Sequence, residues 1–452
     1  MLGYPGFVSV TLATYGRGSN AASKQGRKGS DLAVAARSST KLPSSAPADA
    51  PLPLQITDQS ALFASPADDF RVDMLVAAGD RVAQGAPVLR SRRHPELTLV
   101  APVAGDVAAL DLGPGRRLSQ VLFFHVAEAG RHQHDVAAAR QGSDPAATRA
   151  ALLAGGLWPF FRSRPFGRMP LPGERAAAIF VMAADTRPDA PAVRLALHGR
   201  EEDFSRGLRA LAGLTDGPVI VCHDGGIGDV GVAGDRVKPA KVASTHPHGL
   251  AGFQIAARFP AAIGRTVWDI HAEDVAGLGA FLATGLLPQT RLVSVSGTAL
   301  REQRLLRCQP GADLRALTFD IVRPGPHRLL SGSSLDGVEG RWLGQWRRQV
   351  TAIAGGPPQG LTHWFSAALR RSGRPLPVIP TAALDQAFGG ILPAALLVRA
   401  LAANDAESAV RLGALSLLEE DVALADYLTA ASPRIAAMLR AMLDRIRAEE
   451  QA

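Results

Sequence analysis

One short segment concentrates side chains that can bind an aromatic or anionic ligand. Residues 155–167, called the aromatic segment below, contain Trp158, three phenylalanines, Arg162 and Arg164, in a chain of 452 residues with only 5% aromatics. An arginine attracts an anion and an aromatic ring stacks on a flat ligand, so the segment is a candidate binding platform. The same residues also suit a packed seam between domains, which residue types alone favour because large aromatics fill cores more often than sites.

A second pattern matches a nucleotide-binding string. Gly226–Gly231 has the spacing G-x-G-x-x-G, which binds a pyrophosphate when a helix follows it directly. Here Gly234 and Pro239 interrupt the sequence that follows. We therefore predict a tight loop or hairpin and no dinucleotide site.

Two clusters of polar residues resemble sites but lack partners. His246 and His248 flank a proline, with no cysteine or third histidine close by, so a polar loop is predicted and no metal site. Residues 419–421 are Glu-Glu-Asp at the start of a predicted helix. Acidic residues suit the positive end of a helix, so capping is the predicted role of this run.

The composition of the chain argues against several classes of protein. The formal net charge is +8, and residues 1–41 hold six basic residues against one acidic residue. The rest is near neutral, so nucleic-acid binding is not indicated. Only two cysteines occur, Cys222 and Cys308, too few for a disulfide framework or an iron–sulfur cluster, which needs about four thiolates. The apolar run Ala176–Ala184 is far shorter than the roughly 20 residues of a membrane helix.

The elements that must position these residues begin with a β domain. From Phe70 onward, short β-prone runs alternate with Gly, Pro and Asp turns. Residues 76–89 and 101–107 resemble the two halves of a biotinyl/lipoyl carrier sandwich. Residues 90–94 (Arg-Ser-Arg-Arg-His) occupy the hairpin where a carrier has its modifiable lysine, so the fold is predicted without the carrier chemistry.

The remaining pattern predicts a multidomain α/β protein. A helix over 144–153 precedes the aromatic segment, strands and helices then alternate to residue 296, and the end of the chain is helical. The predicted parts are a disordered basic arm (1–55), a biotinyl/lipoyl-like β-sandwich (56–135), a helix, the aromatic segment and a Rossmann-like α/β domain (136–296), a β-grasp-like, SLBB-like module (297–355) and a C-terminal helical bundle (356–452).

Several motifs together resemble one family, the NqrA subunit of the Na+-translocating NADH:quinone reductase. They follow in the family's order and approximate spacing from about residue 70 to 430. They are Leu157–Phe166, Asp185–Pro188, His246–Leu250, Thr266–Trp268, Thr284–Gly285, His327–Ser333 and Leu418–Leu424. The basic arm and the stretch Ala425–Thr429, where the family often has cysteine, depart from this pattern.

The resemblance implies a soluble, cytoplasmic-side, structural subunit of the membrane complex, peripheral on the inner membrane through its partner subunits. It implies no redox cofactor on this chain, since NADH, flavins, iron–sulfur clusters and quinone are used on other subunits. Quinone binding has also been attributed to the family. The candidates for contact with ubiquinone are Trp158, Phe161, Arg162, Arg164 and Phe166, and the motif residues of unassigned role are Asp185, His246, His248, Trp268, Arg328 and Ser331.

Two other functions stay open from the sequence. The chain could be a stand-alone NADH-binding oxidoreductase that uses Gly226–Gly231, or an assembly or regulatory paralogue without a role in turnover. NADH titration of the purified chain tests the first alternative, and the neighbouring genes test the second.

Overall fold

The computed structural model describes residues 52–64, 68, 70–140, 144–225, 234–355 and 381–451. The predicted disordered arm lies almost wholly outside these residues, as does the Gly226–Gly231 string. Within the described ranges, no helix has the length and apolar character that crossing a membrane requires.

The N-terminal part is a sandwich of two antiparallel sheets. One sheet has the strand order β1-β7-β6-β3 and the other β2-β4-β5. Between them lie alternate side chains that are fully buried, such as Val72, Val88 and Phe123. The predicted β-sandwich is thus confirmed. Its strands are β1 Gln59–Leu62, β2 Val72–Met74, β3 Arg81–Val82, β4 Pro87–Ser91, β5 Thr98–Val100, β6 Gly105–Gly113 and β7 Arg117–His125.

An α/β layer follows the sandwich. Its elements are α1 Pro145–Ala154, β8 Arg162–Arg164, β9 Ala178–Ala183, α2 Val193–Leu197, α3 Glu201–Leu214, β10 Val219–His223, β11 Val237–Lys241, α4 Ala251–Arg258, β12 Val267–His271 and α5 Ala272–Thr284. The sheet order is β11-β10-β9-β12-β8, with β8 antiparallel to β12 and the other neighbours parallel. Helices α3 and α5 cover one face and α4 the other, which explains the continuous apolar strands.

The prediction of a tight loop or hairpin at Gly226–Gly231 is tested only by the strands on either side of it. Residues 226–233 lie outside the described part, but β11 follows soon after and pairs in parallel with β10, so these two strands form no hairpin. Pro239 is tolerated in β11 because this strand is an edge of the sheet.

A second mixed sheet contains a strand that the sequence pattern assigns to the α/β domain. Its elements are β13 Arg291–Ser296, β14 Arg304–Cys308, α6 Leu314–Thr318, β15 His327–Ser331, β16 Val338–Glu339 and β17 Gln349–Ala354, in the sheet order β14-β13-β17-β15-β16. The predicted α/β domain ends at residue 296 and so includes β13. This strand pairs instead with β14 and β17, so Ser294 lies opposite Gln349.

The end of the described chain is helical, as predicted. Its helices are α7 Ala382–Ala387, α8 Ala394–Ala402, α9 Ala406–Arg411, α10 Ala423–Thr429 and α11 Ile435–Gln451. Their apolar faces form a separate core, which also takes in Phe166 of the aromatic segment and Phe253 of α4. The rings of Phe253 and Phe388 meet edge to face at 6.0 Å. The helical tail therefore packs on the α/β layer through shared side chains.

Candidate functional site

A large cleft opens at the carboxyl ends of β9 and β12. Its volume is about 1020 Å³, and its walls come from the aromatic segment, the α/β layer, the second mixed sheet and the helical tail. In the sheet, β9 lies between β10, the next strand along the chain, and β12, which comes later in the sequence. Such a switch in strand order is where α/β sheets bind ligands. Asp185 and Arg187 after β9, and His271 and Asp274 at the end of β12, line this part of the cleft.

The aromatic segment contributes a buried ring cluster. Trp158 and Phe161 lie 5.4 Å apart and each lies 5.5 Å from Trp268, measured between ring centroids. All three side chains are fully buried and none lines the cleft. Both indole nitrogens donate hydrogen bonds of 2.8 Å, Trp158 to the carbonyl of Pro170 and Trp268 to the carboxylate of Glu174. These rings are packed as a seam.

The two arginines of the segment are held by strand pairing. In β8, Arg162 lies opposite Asp269 of β12 and Arg164 lies opposite Val267. Arg162 donates to Asp269 Oδ2 from Nη2 at 2.7 Å and also pairs with Glu420. Arg164 donates to Asp269 Oδ1 from Nε at 2.9 Å and to Asp421 Oδ2 from Nη1 at 2.7 Å. We call the two arginines and three carboxylates the arginine–carboxylate network.

The network is charged although it is buried. Burial alone would raise the pKa of Glu420, but the adjacent guanidinium groups of Arg162 and Arg164 lower it to about 2. Burial opposes the charge of Arg162 too, yet Asp269 and Glu420 raise the pKa of this guanidinium. The charges of Arg162 and Glu420 are thus retained because their partners replace the water they have lost, whereas burial and the neighbouring Glu420 raise the pKa of Asp421.

The capping role predicted for residues 419–421 is wrong. Helix α10 starts only at Ala423, and the residue at its cap, Val422, supplies no side-chain hydrogen bond. Glu420 and Asp421 pair with Arg162 and Arg164, and Glu419 pairs with Arg440 of α11 at 2.6 Å. Asp421 also accepts the backbone N–H of Gly252 at 3.1 Å. The acidic run is the tail's anchor to the α/β layer.

The predicted motif residues are only partly brought together. Asp185 pairs with Arg187 at 3.0 Å, and Arg187 pairs with Asp336 at 3.1 Å. His246 lies against the same loop, because its Nδ1 is 3.4 Å from Thr186 Oγ1. Its buried Nε2 has no partner among the described residues.

The other motif residues have separate surroundings. Ser331 lines the cleft, where its Oγ accepts the N–H of Gly344 at 2.8 Å. His248 is joined to α4 through its carbonyl, which accepts a hydrogen bond of 2.7 Å from Gln254. Arg328 pairs with Glu339 at 3.8 Å and does not line the cleft. Phe166 is buried in the core of the helical tail.

Four aromatic residues that line the cleft, Phe63, Phe160, Trp342 and Trp346, were not among the candidates from the sequence. Phe160 and Trp346 both line it, and the Arg162 guanidinium lies 5.6 Å from the Trp346 ring centroid. Trp346 Nε1 donates to the carbonyl of Pro159 at 2.9 Å, which fixes the ring beside the aromatic segment. The stretch 341–348 contains two tryptophans and three arginines, and this composition was the signal that could have identified this wall.

The described residues offer few ligands for a metal ion. Among them, no three His, Cys, Asp or Glu side chains cluster in a way that could hold one. Cys222 and Cys308 are buried in different cores, and burial raises the pKa of each thiol to about 12. These two thiols are therefore protonated and inert at neutral pH.

Known proteins resemble this chain over most of its length. The model of the NqrA N-terminal barrel-sandwich hybrid domain matches residues 27–124, and that of the NqrA second alpha/beta domain matches residues 144–287. A solved structure of an NAD+-reducing [NiFe]-hydrogenase aligns at 14% identity over 67% of this chain and 63% of its own, with a TM-score of 0.35, which is too low to carry an argument.

Several curated relatives share one name, that of the NqrA subunit of the Na(+)-translocating NADH-quinone reductase. The relative from Yersinia pseudotuberculosis serotype O:1b (strain IP 31758) is 30% identical over 84% of this chain and 91% of its own length. Those from Serratia proteamaculans (strain 568) and Pseudomonas aeruginosa (strain UCBPP-PA14) are 31% and 32% identical, over 94% and 83% of this chain and 99% and 90% of their own lengths. The chain therefore belongs to the NqrA family, whose members are subunits of the Na+-translocating NADH-quinone reductase, an oxidoreductase complex.

Proposed function

We propose that this chain is a peripheral, cytoplasmic-side subunit that docks on the membrane-embedded subunits of the reductase, and that its large cleft binds a quinone headgroup. In this proposal the chain has no redox cofactor of its own and orients the quinone relative to partners that transfer electrons. The relatives' shared name supports membership of the complex. The finer Rossmann-like and β-grasp-like descriptions of the two mixed layers remain part of the proposal.

Two features support a chain without its own redox centre. Its two cysteines are half of the roughly four thiolates that a cluster requires, and they lie in different cores. The interior beside the aromatic segment is filled with side chains: a Cβ on Gly155 would lie 2.5 Å from the Phe281 ring. Among the described residues, the cleft offers room for a flat ligand next to this segment.

The observation that carries the quinone proposal is the wall formed by Phe160, Arg162 and Trp346. A quinone ring is flat and its carbonyl oxygens accept hydrogen bonds, so it suits aromatic faces next to a cationic donor. Arg162 is the one sequence candidate of the five that lines the cleft. The other four, Trp158, Phe161, Arg164 and Phe166, are buried and act behind the wall, by holding Arg162 and Phe160 in place.

The test uses the assembled complex with Trp346→Ala or Phe160→Leu. We expect the KM for quinone to rise about tenfold, since stacking on a base-sized ring contributes about 1–3 kcal/mol. NADH oxidation with an artificial acceptor should stay unchanged, which separates a quinone effect from lost assembly. Phe319→Ala is the control, because Phe319 is 83% exposed and outside the cleft. An unchanged quinone KM in both variants would contradict the proposal.

The stand-alone alternative has a separate test. Titration of the purified chain with NADH should show no saturable binding if NADH is used on another subunit. Saturable binding would favour an independent NADH-binding oxidoreductase. Retention of the chain by purified membrane subunits distinguishes a component of the reductase from an assembly or regulatory paralogue.

A further inference from the structure

A second cavity lies between the barrel-sandwich and α5. Its volume is about 100 Å³, and it adjoins the large cleft because Phe160 and Gln345 line both. Most of its wall is apolar, with Leu99, Leu157 and Leu343 among the lining side chains. The other end of the cavity is polar, because four charged residues line it: Arg200, Glu273, Asp274 and Arg291.

Two of these charges are arginines whose bonding is incomplete. Arg291 is 4% exposed, and its Nη1 donates to the carbonyl of Gln345, but its buried Nε has no partner among the described residues. Arg200 lines the same cavity, and within the described chain no side-chain hydrogen bond or ion pair joins its guanidinium. Burial lowers the pKa of both arginines.

The two acidic residues at this end already have partners. Glu273 accepts the backbone N–H of Leu292 at 2.9 Å and pairs with Arg348 at 3.1 Å and with Arg307 at 3.4 Å. Asp274 pairs with Arg348 at 2.7 Å. Four guanidinium groups therefore surround two carboxylates. The positive charges at this end outnumber the negative ones, and an excess of buried charge is costly, so this end of the cavity favours an anionic ligand.

We propose that this cavity binds a small organic monocarboxylate. Its carboxylate accepts hydrogen bonds from Arg291 and neutralises Arg200, while its apolar body packs against Leu157, Phe160 and Leu343. The apolar walls disfavour a fully hydrated inorganic anion, since they supply no hydrogen bonds in place of water. The body is about the size of a single ring, because a closed cavity of about 150 Å³ accommodates benzene and this cavity of about 100 Å³ continues towards the large cleft that it adjoins. This site adjoins the proposed quinone wall and shares Phe160 with it, but its binding of an anion depends on Arg291 and Arg200 and not on a quinone.

The test is ¹⁹F NMR titration of the full chain with 4-fluorobenzoate. 4-Fluorobenzyl alcohol is the neutral probe of matched shape. We expect saturable broadening with the benzoate and at least about tenfold weaker binding of the alcohol, because charge-assisted hydrogen bonds distinguish the two. Equal affinity for both probes, or no saturable binding of the benzoate, would overturn the proposal.

Variants locate the binding. Arg291→Met should weaken 4-fluorobenzoate binding at least about tenfold, and Arg200→Gln should weaken it measurably. Arg304→Gln is the control, because Arg304 pairs with Glu302 and Asp320 outside the cavity. Arg200 is partly exposed, so Arg200→Gln should fold. This variant therefore tests the site if Arg291→Met does not fold. Wild-type affinity in a folded arginine variant would contradict the assigned site.

Discussion

Arg164 and Asp421 form an ion pair of 2.7 Å in which the side chains are 0% and 1% exposed. The pair joins β8, which directly follows Trp158 and Phe161, to the residues that come just before α10. Asp269 lies on the other side of Arg164, so this guanidinium connects the central sheet with the tail. Two ion pairs thus hold Arg164 in a strand of only three residues.

Arg164→Met should destabilise the fold strongly. The substitution leaves Asp269 and Asp421 buried with less compensating charge, and breaking such a pair costs about 3–5 kcal/mol. Chemical denaturation of the purified chain measures this loss. Arg411→Met is the matched control, because Arg411 and Glu407 are 69% and 82% exposed and their pair should contribute almost nothing. Similar stabilities for the two variants would contradict the role of the network.

Gly252→Ala should destabilise the protein, although alanine normally favours a helix. A Cβ at this position would lie 2.2 Å from Asp421 Oδ2. The close approach also lets the Gly252 N–H donate to Asp421, so the carboxylate cannot move away freely. We expect a loss of about 1–3 kcal/mol, the usual cost of overpacking. Gly173→Ala, where a Cβ meets nothing within 4 Å, should leave the unfolding free energy nearly unchanged.

Stability should fall in mild acid because of His246. Burial and the charge of Arg187 lower its pKa from 6.5 to about 4. The unfolded chain takes up this proton near pH 6.5 and the folded protein does not, so stability is full above 6.5 and decreases as the pH drops towards 4.

The measurement is the unfolding free energy of wild type and His246→Gln at pH 7 and pH 5. Wild type should lose about 2 kcal/mol more than the variant over this interval. His271, whose pKa burial also lowers, affects both proteins equally and cancels in the difference. The exposed His327 supplies the control, as His327→Gln should follow the wild-type curve. Parallel curves for wild type and His246→Gln would show that His246 does not titrate in this way.

Trp158→Ala should affect mainly stability, whereas Trp346→Ala should affect mainly quinone kinetics. Trp158 is fully buried, so its truncation should cost about 3–5 kcal/mol of unfolding free energy. Trp346 is only partly buried, so Trp346→Ala should lower the unfolding free energy by less. Because Trp346 lines the cleft, this variant should instead raise the quinone KM. Thermal denaturation of the chain and quinone KM in the complex are the two measurements. A larger KM change for Trp158→Ala, in complex that is equally well assembled, would move the quinone contact back to the buried rings.

Local pattern was sufficient to predict most helices and strands. Helix α5 ends at Gly285 and strand β13 spans Arg291–Ser296, as the sequence indicates. Periodicity and glycine placement act within one element, so they can be recognised without knowing the fold. The sheet that β13 joins could not be recognised in this way, because its pairing with β17 depends on residues more than 50 positions later.

The candidate site shows the same division. The aromatic segment was found because its composition is unusual, whereas the roles of its members depend on distant partners. Glu420 and Asp421 resemble a helix cap until Arg162 and Arg164 are placed beside them. Trp346 meets the carbonyl of Pro159 only because the second mixed sheet packs beside the aromatic segment, and no spacing along the chain encodes that contact.

Arg164 and Asp421 are also synthesised at well-separated times during translation. The two residues are 257 positions apart, so a ribosome adding about 5–20 residues per second needs roughly 13–50 s to pass from one codon to the other. Until Asp269 and then Asp421 have been synthesised, neither can neutralise the charge of Arg164. The buried surroundings of β8 are therefore completed only by carboxylates that are made long after β8 itself.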